Sequence, residues 1–371
     1  MKKVLFVATV VKLHIMVFHI PYLEWFKKNG YEVHVAARND YDNKDECIIP
    51  FCDRFHDLPF ERSPIRKNNL QVYKDLKNII DTEQYEIIHF HTPMGGAIGR
   101  LAARSARKKG TKVIYTAHGF HFFKGAPLVN WLAYYPAERW LAKYTDVLIT
   151  INTEDYEIAK KFKVNRIEYV PGVGIDTDKF KNIEVNRTEK RESLGVSEDD
   201  FMIISVGELN KNKNHQVIIR AIAKLRNEKI KYVLCGQGPL ETELRELAKE
   251  LDVENQVKFL GFRKDVPDLM KVADLFAFPS YREGLSLSLM EAMASGLPVV
   301  CSEIRGNTDL IEDGKGGYLV EPSDVEGFAK YIKELIEDSR LKSEFGDFNH
   351  KKIENYSIEN VMKEVENIYK L

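Results

Sequence analysis

In this 371-residue chain, Glu283 and Glu291 are the residues whose spacing most plainly suits chemistry. Residues 275–278 read as a strand and residues 287–294 as a helix, so the turn between them delivers Glu283 to the helix start and Glu291 to its second turn. Gly284 lets the backbone approach a ligand closely. Ser286 suits an N-cap. The free amides of Leu285, Ser286 and Leu287, with the helix dipole, favour a diphosphate. Glu283 then lies at the sugar end of such a ligand. Glu291, flanked by apolar residues, can accept both hydroxyls of a ribose. The blander alternative is a helix start with one surface and one half-buried glutamate.

Residues 205–214 form a second candidate loop, with Gly207, Glu208, Lys211 and Lys213. Lysines there can neutralise donor phosphates, or they can belong to a solvated loop. Residues 115–121 end another strand and carry His118 and His121. Histidine both donates and accepts near neutral pH, which suits sugar hydroxyls. After the first strand, residues 9–14 hold no glycine, which argues against a dinucleotide fingerprint. His14 and His19 are therefore weak candidates for acceptor contacts, or pack against the first helix.

These loops need elements to hold them. Strand-like runs at 4–9, 32–37, 87–90, 112–116, 147–150 and 168–170 alternate with helical stretches such as 96–109 and 154–162. A second series, at 202–206, 232–235, 257–260, 275–278 and 298–301, alternates with helices at 216–226, 240–250 and 287–294. Alternation of this kind predicts parallel sheets covered on both faces, here as two doubly wound α/β domains. Proline and glycines at 171–174 mark the boundary. The predicted domains are 1–172 and 173–355, with an amphipathic helix at 356–371 returning to the first. Ligands of open parallel sheets bind at the carboxyl ends of the strands, so a cleft between the two domains is the expected site.

Composition is that of an ordinary globular protein, 44% hydrophobic and 30% charged. The apolar run 4–11 after Met1-Lys2-Lys3 reads as a first buried strand rather than a signal peptide, because it is short, Lys12 follows it and no cleavage site appears. No run is long enough to span a bilayer. Cys47, Cys52, Cys235 and Cys301 form no metal pattern and fit a reducing, cytoplasmic setting. Residues 1–170 carry a net charge of about +7 and the remainder about −8. The cluster Arg104, Arg107, Lys108 and Lys109, with the aromatic stretch 120–144, fits peripheral contact with anionic membrane. Its alternative is that the rings are core and the charges solvated. No nucleic-acid partner is expected.

The paired glutamates, followed by Gly296-Leu297-Pro298-Val299-Val300, resemble the signature of glycosyltransferase family 4. The resemblance covers nearly the whole chain and is strongest over 200–320. It implies the GT-B fold, two Rossmann-like domains facing a cleft, and sugar transfer with retention and without an essential metal or other cofactor. By the same resemblance Glu283 contacts donor-sugar hydroxyls, Glu291 holds the ribose, Lys213 meets the phosphates and His118 touches the sugar. Phe262 and Arg263 fall in the base-binding turn. Glu208 stands where the family has an arginine, a departure for which Lys211 can compensate. The family's front-face mechanism needs no protein nucleophile. The implied donor is a UDP-sugar, and the implied acceptor a saccharide, carried on polyprenyl diphosphate, in exopolysaccharide or capsule assembly. Two rivals share the fold: a UDP-sugar epimerase or phosphorylase, and a non-catalytic nucleotide-sugar-binding subunit.

Overall fold

The computed structural model describes residues 1–63 and 66–370. It divides into two compact units, one of Met1–Gly174 with the stretch from Ile358 onward, the other of Ile175–Ser357.

The first unit holds seven parallel strands: β1 (Lys3–Val10), β2 (Glu32–Arg38), β3 (Arg54–Asp57), β4 (Ile87–Phe90), β5 (Lys112–Ala117), β6 (Val147–Thr150) and β7 (Arg166–Tyr169). Their order is β3-β2-β1-β4-β5-β6-β7. The chain winds outward from β1 to β3, jumps back beside β1, and winds outward again. Val4 of β1 pairs with Val33 on one side and Ile87 on the other. The winding reverses between β1 and β4, the place where doubly wound sheets bind ligands. Successive residues of β1 enter opposite cores. Leu5 and Val7 pack on one face, and Val4, Phe6 and Ala8 on the other.

Three helices matter below: α1 (Leu128–Leu141), α2 (Leu287–Ala294) and α3 (Ile358–Tyr369). In α3, Val361, Val365, Ile368 and Tyr369 fall on one face and pack with Val4 and Phe6. The Tyr369 hydroxyl meets His89 Nδ1 at 2.7 Å, fixing the helix to the first sheet. Leu371, at the end of the expected helix, lies outside the described residues.

The second unit repeats the winding with six strands: β8 (Phe201–Val206), β9 (Ile230–Cys235), β10 (Val257–Gly261), β11 (Leu275–Phe278), β12 (Val299–Ser302) and β13 (Gly317–Val320). Their order is β10-β9-β8-β11-β12-β13, with the reversal between β8 and β11.

Several sequence expectations need correction. β3 and β13 were not anticipated, and β7 begins two residues before its expected start. All three are short strands, β3 and β7 being edge strands rich in polar residues. An edge strand has one neighbour and needs no continuous apolar run. The helix expected at 96–109 is two, Pro93–Ala102 and Arg104–Lys108, broken at Ala103. The first lies close against the sheet on glycines. A Cβ on Gly96 would come within 2.3 Å of the Tyr115 ring, and one on Gly99 within 2.1 Å of Phe90. The helix expected at 154–162 runs from Thr153 to Ala159, capped by the Asn152 side chain.

Candidate functional site

In the second unit, the loops leaving β8, β11 and β12 meet. Lys213 Nζ lies 2.7 Å from Glu283 Oε1, with both side chains largely covered. The ammonium also sits 4.6 Å from the centre of the Phe278 ring. Backbone bonds set this meeting. Tyr281 N donates to Asn212 O at 2.8 Å, and Asn212 Nδ2 donates to Arg282 O at 2.9 Å. Asn214, with φ +53, donates Nδ2 to Pro279 O and Pro322 O. Arg305 Nε donates to Glu283 O at 3.1 Å.

Two glycines permit the close approach. A Cβ on Gly236 would stand 1.8 Å from Gly207 O, and one on Gly306 2.2 Å from Gly284 O. The sequence reading missed Asn212, Asn214, Gly236, Arg305 and Gly306. A glycine directly after a buried strand was the available signal at 236.

Ser286 caps α2, its hydroxyl accepting from Leu289 N at 3.5 Å. The first-turn amides at Leu285–Leu287 therefore adjoin the Lys213–Glu283 pair along the chain. Glu291 lies one turn further on, largely buried. Burial pushes its carboxyl up to about 7, against the weaker pull of Lys179. Among the described residues this carboxylate accepts no hydrogen bond. A carboxylate so placed is ready for hydroxyl donors.

Other expected residues lie elsewhere. Lys211 is exposed and lines a separate recess with Gln216, Leu240 and Leu244. Glu208 also faces outward, accepting from Asn210 Nδ2 at 2.8 Å. Arg263 is committed to Asp265 by two bonds of 2.7 and 2.6 Å. Phe262 is 71% exposed. Gly261 O accepts from Gly236 N, so the backbone of this turn, rather than the two side chains, borders the Gly207 loop.

In the first unit, a wide π-helical turn at Val11–Ile15 follows β1 and carries His14, with His19 close behind. His91 follows β4 and His118 follows β5. One ligand nitrogen from each of these four lies within 4.8 Å of the others. His91 Nδ1 is 3.3 Å from His118 Nε2, and the His19 and His91 ring centres are 3.8 Å apart. Burial holds the His118 imidazole down to about 4 and keeps the other three well below the ordinary range, so all four are neutral at pH 7. Among the described residues, both nitrogens of His19 and Nε2 of His14 and His91 are buried without a hydrogen-bond partner. Each such orphan costs about 1–3 kcal/mol. His91 was missed by the sequence reading. His121 does not join the group; its ring stacks 4.8 Å from Tyr134.

The aromatic stretch divides. Phe120 and Phe122 are core, and Trp131 and Tyr135 pack against it. The outer face of α1 carries Leu128, Val129 and Leu132 at 73%, 65% and 70% exposure, with Trp140 beyond. The basic cluster upstream is partly spent: Arg104 lies on the Tyr144 ring and Arg107 pairs with Asp146. Among the described residues, no helix is long and apolar enough to cross a membrane.

Residues 3–153 match the family described as Glycosyl transferase 4-like, and residues 186–352 the family described as Glycosyl transferases group 1. EpsD of Bacillus subtilis, named as a glycosyltransferase, is 42% identical over 99% of this chain and 96% of its own. The chain is a family 4 glycosyltransferase. Its fold is GT-B. The structure of Anabaena HepE in complex with UDP and glucose matches it over the whole of both chains, with TM-score 0.83 at 20% identity, a likeness of fold. The Escherichia coli UDP-Gal:alpha-D-GlcNAc-diphosphoundecaprenol alpha-1,3-galactosyltransferase is 29% identical over 82% of each chain.

The Glu291 carboxyl generates a stability test for this transferase. Its folded value is raised from 4.5 to about 7, so its contribution to stability is full below about 4.5 and is lost as pH rises through 7. Keeping it ionised costs about 3 kcal/mol. Glu291→Gln should therefore be more stable than wild type at pH 8 by up to that amount, and the gap should close by pH 4.5. Denaturant unfolding at several pH values checks this. Parallel pH profiles for the two proteins would contradict the buried, ligand-free carboxyl.

Proposed function

We propose that this glycosyltransferase moves a hexose or N-acetylhexosamine from a UDP-sugar, with retention, to a saccharide carried on polyprenyl diphosphate during surface-polysaccharide assembly on the cytoplasmic side of the membrane. The observation that carries the reading is the Lys213–Glu283 pair beside the capped start of α2. A diphosphate seated at the α2 amides shares the Lys213 ammonium with Glu283. The shared ammonium holds that carboxylate where it accepts sugar hydroxyls. As the glycosidic bond breaks, Lys213 and the amides stabilise the charge growing on the leaving diphosphate. The acceptor hydroxyl attacks from the same face, its proton passing to that phosphate. Protein groups thus position and neutralise rather than form a covalent bond. Glu291 accepts the ribose hydroxyls. The donor class follows the UDP bound in the HepE complex, and the acceptor class follows the diphosphoundecaprenol named for the Escherichia coli relative.

Glu283→Gln should lower turnover at least tenfold while leaving UDP affinity within about twofold of wild type, because the nucleotide meets other groups. Nucleotide release from UDP-sugars and UDP calorimetry, both without Mg2+ or Mn2+, measure the two quantities. If UDP affinity and turnover fell together, Glu283 would be a nucleotide ligand instead. Strict dependence of the wild type on added Mg2+ or Mn2+ would contradict a phosphate clamp made of lysine and amides.

A lipid-borne acceptor calls for contact with the membrane, and the exposed face of α1 fits an anionic lipid surface. Lys124, Arg139 and Lys143 are exposed around its apolar residues. Each basic residue near such a surface contributes about 1 kcal/mol, weakened by salt. Sedimentation with phosphatidylglycerol vesicles should pull down the wild type at low salt, and should fail for Leu128→Ser/Leu132→Ser/Trp140→Ser. Wild-type protein left wholly in the supernatant would refute this contact.

A further inference from the structure

The four histidines at the carboxyl edge of the first sheet bring together more imidazoles than the single sugar contact expected of His118 calls for. Elsewhere this unit satisfies its buried histidines. His89 bonds Tyr369 through Nδ1 and Thr116 through Nε2, and His34 bonds Tyr85 and Glu32. His19, fully buried one residue beyond the short helix Met16–Phe18, bonds with neither nitrogen among the described residues. Nor is there room for a sugar against its ring. The cavity bordered by His19, His91 and His118 is about 10 Å3, the space of one water-sized sphere.

We propose that His14, His19, His91 and His118 form a closed site for one divalent transition-metal ion of the zinc class. Nitrogens sharing a tetrahedral ion at about 2.0–2.1 Å lie about 3.3 Å from each other. The His91–His118 pair already stands at 3.3 Å, and the whole set within 4.8 Å, so ring rotations rather than backbone movement complete the site. Neutral imidazole is a favoured ligand for such ions. An ion there would give a partner to one nitrogen of His19, which bonds through neither among the described residues. Four protein ligands leave no open position, which makes the ion a positioning element rather than a Lewis acid. It would tie together the segments leaving β1, β4 and β5, three adjacent strands on either side of the winding reversal. A histidine bound through one nitrogen carries its proton on the other, so His118 would keep an N–H to offer a ligand.

This inference does not rest on the proposed donor or acceptor. Its test uses untagged full-length protein and Zn2+ alone. After zinc loading and gel filtration in metal-free buffer, elemental analysis should find one Zn2+ per chain. X-ray absorption on that sample should show four nitrogen neighbours at about 2.0–2.1 Å. His19→Phe and His91→Phe, judged folded by near-ultraviolet circular dichroism, should each bind Zn2+ more than about a hundredfold more weakly against a chromophoric chelator. His121→Ala, changed in the same loop as His118 but outside the group, should bind as wild type does. Absence of stoichiometric zinc in the wild type would overturn the proposal, as would an oxygen-rich shell or folded variants of unchanged affinity. If neither variant folds, the absorption spectrum of the wild type decides alone.

Discussion

The second unit depends on bringing a lysine and a glutamate, seventy residues apart in sequence, within 2.7 Å of each other under partial cover from water. Neither charge would be stable there alone, because removing one partner strands the other in a poorly solvated place. The loops must therefore arrive together, and the surrounding structure serves that end. Parallel strands β8 and β11 deliver both loops to one edge of the sheet. Asn212, Asn214 and Arg305 fasten them through backbone carbonyls. Gly236 and Gly306 give way where a side chain would collide with the neighbouring backbone. The result is a covered charge pair beside a capped helix start and a buried carboxyl pushed up to about 7.

The first unit handles polarity at its carboxyl edge differently. It gathers neutral imidazoles instead of opposite charges. Tyr369 on α3 and Thr116 on β5 satisfy His89, and that bond joins the end of the chain to the sheet that began it. Two residues further on, His91 stacks on the Phe6 ring and meets His118 Nε2 through Nδ1 at 3.3 Å. The same edge thus holds one histidine paired through both nitrogens and, in His19, one paired through neither among the described residues.

Much of this was legible in the sequence, and the physical reason is burial. Central strands such as β1, β8 and β11 are enclosed on both faces and show continuous apolar runs. Edge strands β3 and β13 are not so enclosed and passed unread. Glu283, Glu291 and Lys213 were visible because helix starts and strand ends have local signals. Their pairing was not, since nothing local links position 213 to 283. Lys211 was read as the charge replacing the family's arginine, but it is exposed and lines a different recess. His14 and His19 were read together as acceptor candidates, and His118 apart from them. Only the strand order, which sets β4 between β1 and β5, brings His91 among them.

The claim that Lys213 and Glu283 act as one unit on the donor is tested most directly by a double-mutant cycle with UDP-sugar turnover as the readout. Residues that act together lose their function together, so their separate losses do not multiply. Lys213→Ala/Glu283→Ala should turn over about as slowly as the slower single variant. A double variant whose loss equals the product of the two single losses would show two independent residues and contradict the account.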